Sequence, residues 1–276
     1  MNNKVIFLQN RAKELRQKIL KMAFKAGGAH IGSSFSIIEI LTVLYFGDVM
    51  KYDPQCPKLP TRDRFILSKG HASAALYAVL ATAGFFKEEL LDGYCQLGTT
   101  LGGHPNMHDI PGVEASTGAL GHGFSYAAGI ALASKMDKEK YKVFVALGDG
   151  ECQEGSVWET ALFAAHKKIG CLTAIIDYNK LQAMDKLDNI ITMESLSDKW
   201  KAFGWNVIEV DGHDIQNLQD VLAKPWPEDA PPRLVIAHTI KGKGISFMEN
   251  VPLWHFRLPN EEEKRICCSE LEFNLD

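Results

Sequence analysis

The chain has 276 residues, 46% of them hydrophobic, and a formal net charge of -4. That is enough for one large domain with a full core, or two small ones. The mild charge and scattered basic residues exclude a nucleic-acid stripe and a polybasic membrane patch.

The stretch from Met1 to Gln9 lacks a long apolar segment, so no signal peptide is expected. No apolar run reaches about 18 residues, so no membrane span is expected either. The spacing of Cys56, Cys95, Cys152, Cys171, Cys267 and Cys268 fits neither a zinc site nor a disulfide framework. A reduced cytoplasmic setting follows as the expectation.

Residues 5–25 predict a helix, with Lys, Arg and Gln interleaved among Ile, Leu and Met. "SIIEILTVLYFGDVM" predicts a second, mostly buried helix, with Ser33, Ser34 and Ser36 as N-cap candidates. "TRDRFILSKGHASAALYAVLATAG" reads as a short strand, a glycine turn and an Ala-rich helix. "TGALGHGFSYAAGIALASKM" reads as a glycine-rich loop entering another. "KVFVALG" is a continuous apolar run that stops at glycine. Val157, Ala161, Ala165 and Ile169 then form one stripe at i+4 spacing. "LTAIID", "WNVIEV" and "RLVIAHT" are further buried strands.

Short apolar strands alternating with helices predict an α/β fold: a doubly wound, mostly parallel sheet flanked by helices. Residues 1–251 form the expected domain. The acidic tail at 252–276 is expected to pack on a partner rather than build a core.

In such a sheet, ligands bind beyond the carboxyl ends of the strands. Asp149 and Asn179 fall there, at neighbouring strand ends thirty positions apart. Gly148 and Gly150 permit close backbone approach and positive φ, and the helix that follows offers N–H groups to a phosphate. One carboxylate, one amide oxygen and a backbone carbonyl are too few ligands for an all-protein magnesium cage. They suit a magnesium ion completed by phosphate oxygens and water.

A G-D-G followed about thirty residues later by asparagine matches the thiamine diphosphate motif. Around it, "GGAHIGSS", "LSKGHAS", "LGGHPN", "STGALGHGFSYAAGIA", "GDGECQEGSVWE" and "HTIKGKG" occur in the order in which transketolases carry them. The chain resembles the N-terminal half of a transketolase, the diphosphate-binding domain of the thiamine diphosphate-binding fold, over nearly its whole length.

The resemblance implies thiamine diphosphate and Mg2+ as cofactors. It places Asp149, Asn179 and the backbone carbonyl of Leu181 on magnesium. It places the Gly150 N–H, His71 and His255 on the diphosphate, with Gly118 and Leu120 lining the cofactor. His30, His104 and His255 would surround the reacting end of the sugar. Glu154 would sit at the interface, in a carboxylate relay between paired active sites.

Histidines suit this chemistry. Cleaving the C2–C3 bond of a ketose needs a proton to leave the C3 hydroxyl while an oxyanion develops nearby. Neutral imidazole accepts such a proton near pH 7, and imidazolium stabilises the oxyanion. His108, His122, His166, His213 and His238 are assigned structural roles. So are Trp158 and the Ala-rich helices. Lys241 and Lys243 are read as a solvated basic loop.

Two departures from the family pattern bear on the sugar site. Ala29-His30-Ile31-Gly32 replaces Gly-His-Pro-Gly, and Phe256 follows His255 where glycine is common. Phenylalanine does not reach glycine's backbone conformations cheaply, which bears on the position of His255 and on the acceptor sugar.

A transketolase has a further pyrimidine-binding domain, which supplies the glutamate that activates the cofactor. The resemblance therefore implies a C-terminal partner subunit, an α2β2 assembly, and sugar or sugar-phosphate substrates. No nucleic-acid or membrane partner is expected. A piece of a longer chain is the alternative. So are a half-enzyme of the 1-deoxyxylulose-5-phosphate synthase type and a non-catalytic regulatory protein of the same domain.

Overall fold

The computed structural model describes residues 3–275; Met1, Asn2 and Asp276, at the two ends of the segments read above, lie outside the described residues. The chain opens with helix α1 (Asn3–Ala26), then α2 (Ile31–Ser36) and α3 (Ile38–Phe46). Strand β1 (Arg64–Leu67) leads to α4 (Ser73–Thr82) and then α5 (His122–Met136). Next come β2 (Val143–Gly148), α6 (Gly155–His166), β3 (Leu172–Tyr178), α7 (Leu187–Ile190) and α8 (Leu196–Ala202). The last elements are β4 (Asn206–Asp211), α9 (Ile215–Ala223), β5 (Arg233–His238) and α10 (Glu261–Glu270).

The five strands form one parallel sheet in the order β1-β2-β3-β5-β4. Alternation along each strand divides the core in two, as a pleated backbone requires. Phe65, Leu67, Phe144 and Ala146 face α1, α3, α4 and α9. Ile66, Val143, Val145 and Leu147 face α5, α6 and α8, where Trp200 packs against Trp205 and Trp158. Both faces of the inner strands are covered, which is why those strands read as continuous apolar runs.

Three local expectations change. The predicted second helix is two, α2 and α3, joined at Ile37. It begins at Ile31 without a side-chain cap, so Ser33, Ser34 and Ser36 lie inside α2 rather than ahead of it. The i+4 stripe ends early: Lys168 takes positive φ past the end of α6, and Ile169 is buried beyond it. The tail folds back on its own chain. Trp254, Cys267 and Leu271 join the first core, and Gln17 donates to the Leu271 carbonyl at 2.8 Å. A capping box at Asn260 starts α10.

All six cysteines are free. Among the described residues, no helix is long and apolar enough to cross a membrane.

Candidate cofactor and active site

Strands β2, β3 and β5 all point their carboxyl ends the same way, and the loops that follow them meet. The register sets Gly148 opposite Asp177 and Asp177 opposite Ala237. Asp149, Asn179 and Lys241 therefore leave three adjacent strands at one edge. They line a pocket of about 340 Å³ together with Ser33, Lys69, His71, Gly118, Leu120, Gly150, Glu154, Leu181, Gln182 and His255. Of the residues expected at the site, His30 and His104 stand just outside this lining. His30 adjoins His71 and His255, and His104 adjoins His30.

The Asp149 carboxylate accepts from the N–H of Gly150 at 2.7 Å and of Lys180 at 2.5 Å. Burial, and then the neighbouring Asp177, push its pKa up to about 6. A buried carboxylate in this state is short of positive charge, which a divalent cation supplies. Asn179 Oδ1 accepts from the Leu181 N–H at 3.1 Å, and the Leu181 carbonyl accepts from Lys241 Nζ at 3.0 Å. Among the described residues no three His, Cys, Asp or Glu side chains cluster around a metal position. The donor set is the mixed one, carboxylate, amide and carbonyl, that leaves sites open for phosphate and water.

The positive side of the pocket comes from two buried lysines. Lys69 pairs with the buried Asp177, which also accepts from Ser36 and Thr239. Burial works to raise the pKa of Asp177, but Lys69 and these hydrogen bonds outweigh it and hold it below the usual range. Lys241 is 1% exposed, and burial brings its pKa down to about 8.

The histidines respond to this field. His255 falls to about 3, through burial and then Lys241, His30 and Lys69. His30 falls to about 4, through burial and then His104 and Lys241. His71 lies well below its ordinary value, through burial and then Lys69. All three are neutral imidazoles beside two buried lysines, and His71 and His255 line the pocket itself. Ring centroids lie 5.4 Å apart for His30 and His71, 5.2 Å for His30 and His255, and 5.5 Å for His71 and His255. His104 is 6.2 Å from His30.

An unsatisfied donor points to the same occupant. The Nε2 of Gln182 is buried without a hydrogen-bond partner among the described residues, and it lines this pocket. A Cβ added to Gly150 would come 3.0 Å from the Gln182 amide carbon, so the residue after Asp149 has little room for a side chain. Neither Gly148 nor Gly150 takes positive φ, and of the two only Gly150 is tight for space. The N–H groups of this turn begin a short 3-10 segment at Gly150–Gln153, one turn ahead of α6.

Gly118 has φ of +157°, and a Cβ there would meet the His104 ring at 3.2 Å. Glu154 is exposed at the N-cap of α6, against Gly121. Phe256 sits at φ −145° and ψ 91°, extended backbone open to any residue. Its ring packs on His30 with centroids 4.8 Å apart, and His255 remains in the cluster. The substitution of glycine thus does not displace the histidine.

Sequence reasoning passed over Ser33, Lys69, Gln182 and Lys241. Lys241 was legible by the rule that found Asp149, since it too follows the end of a buried strand. Lys69 was readable only with its partner Asp177 in hand, 108 positions away.

Residues 9–264 match the family model described as "Transketolase, thiamine diphosphate binding domain". The chain is 41% identical over 269 residues to an apulose-4-phosphate transketolase subunit of Phocaeicola vulgatus, covering 98% of this chain and 95% of that one. It is 42% identical over 272 residues to a 6-deoxy-6-sulfo-D-fructose transketolase subunit of a Clostridium species, covering 99% and 98%. Human transketolase is 39% identical over 261 residues, which make up 94% of this chain but 41% of that protein. The solved transketolase of Campylobacter jejuni superposes with a TM-score of 0.91 at 30% identity, over all of this chain and 44% of that one. With its parallel sheet, a family match over residues 9–264 and relatives matched almost end to end, the chain belongs to the transketolase family, as its thiamine diphosphate-binding domain.

Proposed function

We propose that the chain is the N-terminal subunit of a two-component transketolase, moving a two-carbon ketol unit from a ketose or ketose phosphate to an aldose or aldose phosphate. One observation carries the reading: Asp149, Asn179 and Leu181 line the same pocket as His71 and His255. The relatives that are themselves named as transketolase subunits are matched almost end to end, which supports a separate partner.

Asp149, the Asn179 amide oxygen and the Leu181 carbonyl hold Mg2+. The Gly150 N–H, His71 and His255 hold the diphosphate, with the unpaired Gln182 amide beside them. Gly118 and Leu120 line the rest of the cofactor. Bound thiamine diphosphate supplies the nucleophilic carbon and takes up the electron pair released from the C2–C3 bond. His30, His104 and His255 surround the sugar's reacting carbons. Neutral imidazole there takes the C3 hydroxyl proton, and N–H donors stabilise developing oxyanions.

The partner is a C-terminal subunit with the pyrimidine-binding domain, in an α2β2 assembly. Exposed Tyr126 on α5 and Leu162 on α6 supply apolar surface for such an interface, as do Leu253 and Phe256 in the tail. The cytoplasm is the proposed location.

The test is reconstitution. This chain mixed with its C-terminal counterpart should transfer a ketol unit from a ketose phosphate in a magnesium- and thiamine diphosphate-dependent manner. Turnover of pyruvate instead would redirect the reading to decarboxylating chemistry. Cofactor binding without any turnover would give the chain a regulatory role.

A further inference from the structure

We infer that Lys241 fixes the tautomer of His255, and so makes His255 a hydrogen-bond donor at the reacting centre rather than a proton acceptor. The inference rests on the cofactor reading only for what His255 faces. The tautomer itself follows from the hydrogen bonds.

Lys241 Nζ has three neighbours: the Leu181 carbonyl at 3.0 Å, the Gln182 carbonyl at 3.1 Å and His255 Nδ1 at 2.8 Å. An ammonium group has three N–H donors and no lone pair. Two of the neighbours are carbonyl oxygens, which only accept. The third bond therefore also runs outward from the lysine, and His255 Nδ1 offers its lone pair. A neutral imidazole with Nδ1 accepting carries its proton on Nε2. The nitrogen left free by Lys241 can give a hydrogen bond and cannot take a proton.

The lysine is held in place on all sides. Its side-chain stem passes Gly32, where an added Cβ would lie 3.2 Å from Lys241 Cγ. Its carbonyl accepts from the Asn250 N–H at 2.9 Å. The preceding N–H, of Ile240, donates to His213 Nε2 at 2.8 Å, and His213 Nδ1 lies 3.0 Å from Glu39 Oε2. Glu39 is in turn fixed by Arg16 at 2.7 and 2.8 Å. Lys241 thus acts through His255 as a positioning residue. The histidine work divides accordingly: His255 donates to an oxygen, and proton acceptance falls to His30 or His104.

Two measurements test this. In the isolated chain labelled with 15N-histidine, nitrogen shifts separate a protonated ring nitrogen from an unprotonated one; the His255→Gln spectrum assigns the His255 signals. The wild type should show a single His255 tautomer with Nε2 protonated, and Lys241→Met should give averaged shifts for both nitrogens. A protonated Nδ1 in the wild type, or a tautomer unaltered in Lys241→Met, would overturn the inference. This readout does not depend on transketolase activity. In the reconstituted enzyme, His255→Gln keeps an N–H near the Nε2 position and should retain turnover within about tenfold. His255→Ala removes the donor and should lose about 100- to 1,000-fold, the usual effect of deleting one such donor. Equal losses in Gln and Ala would sink the donor role, and an inactive wild-type mixture would count against the proposed function instead, leaving the nitrogen shifts to decide the tautomer.

Discussion

The Lys180 N–H donates to Asp149 Oδ2 at 2.5 Å, tying the loop after β3 to the loop after β2. The two strand ends proposed to supply the metal donors are therefore braced against each other by the protein itself. Pre-organisation of this kind lowers the ordering cost of binding.

Removal of that carboxylate should show directly in cofactor binding. Asp149→Ala leaves magnesium with neutral donors against a diphosphate. The loss of a charge-assisted contact costs about 1.5–3 kcal/mol, roughly 10- to 150-fold in affinity. Calorimetric titration of thiamine diphosphate with magnesium into the reconstituted enzyme reads the change, and circular dichroism should confirm an unaltered fold. Unchanged affinity would remove Asp149 from the metal.

The histidines should separate by role. His30→Ala and His104→Ala should lower kcat far more than they weaken cofactor affinity. His71→Ala, in the pocket beside Lys69, should do the reverse. If all three act only on cofactor affinity, the assignment of sugar contacts is wrong.

Acid should act through Glu39. Burial works to raise its pKa, but Arg16, with His213, brings it down to about 2 from an ordinary 4.5. The folded state thus binds the ionised form more favourably than the unfolded state does. That contribution is complete above about pH 4.5 and is lost as pH falls toward about 2. Urea unfolding of wild type and Glu39→Gln across this range should give stability–pH curves of different slope; superimposable curves would refute it. At neutral pH, Arg16→Met removes the charged partner of this buried carboxylate, leaving only His213, and should cost about 3–5 kcal/mol.

Assembly should govern activity. On the proposed reading this chain grips the diphosphate end of the cofactor, and the aminopyrimidine end needs another domain. The chain alone should be inactive and should gain activity with a C-terminal subunit. Mass measurement of the copurified complex should give two copies of each, through interfaces of above about 2,000 Å² in total. Ketol transfer by the chain alone at the rate of the mixture would refute the split arrangement.

Much of this was legible in the sequence because burial on both faces writes itself into strands. "KVFVALG" and "LTAIID" are apolar at nearly every pleat, and both lie where they were read. The strand ends that line the pocket followed from where those runs stop. What failed to show was anything decided by distant partners. Ser36 has the look of a helix cap, yet it lies inside α2 and donates to Asp177, 141 positions on. Lys241 looked solvated because lysine usually is; only the converging carbonyls of Leu181 and Gln182 explain its burial. Phe256 looked strained because the family's glycine suggested a special conformation, and the backbone there is ordinary.

The clasp between α1 and the tail has a consequence for how the protein is made. Gln17 meets Leu271 across 254 positions, and Lys13 pairs with Glu272 at 2.6 Å. During synthesis the face of the sheet carrying α5, α6 and α8 is complete once β5 has emerged. The opposite face still lacks Cys267 and Leu271, which belong to the same core cluster as Leu15 and Ile19. Contacts of such long sequence separation are slow to close. The part of the core that the tail covers is therefore open to chaperones and to self-association until α10 has been made.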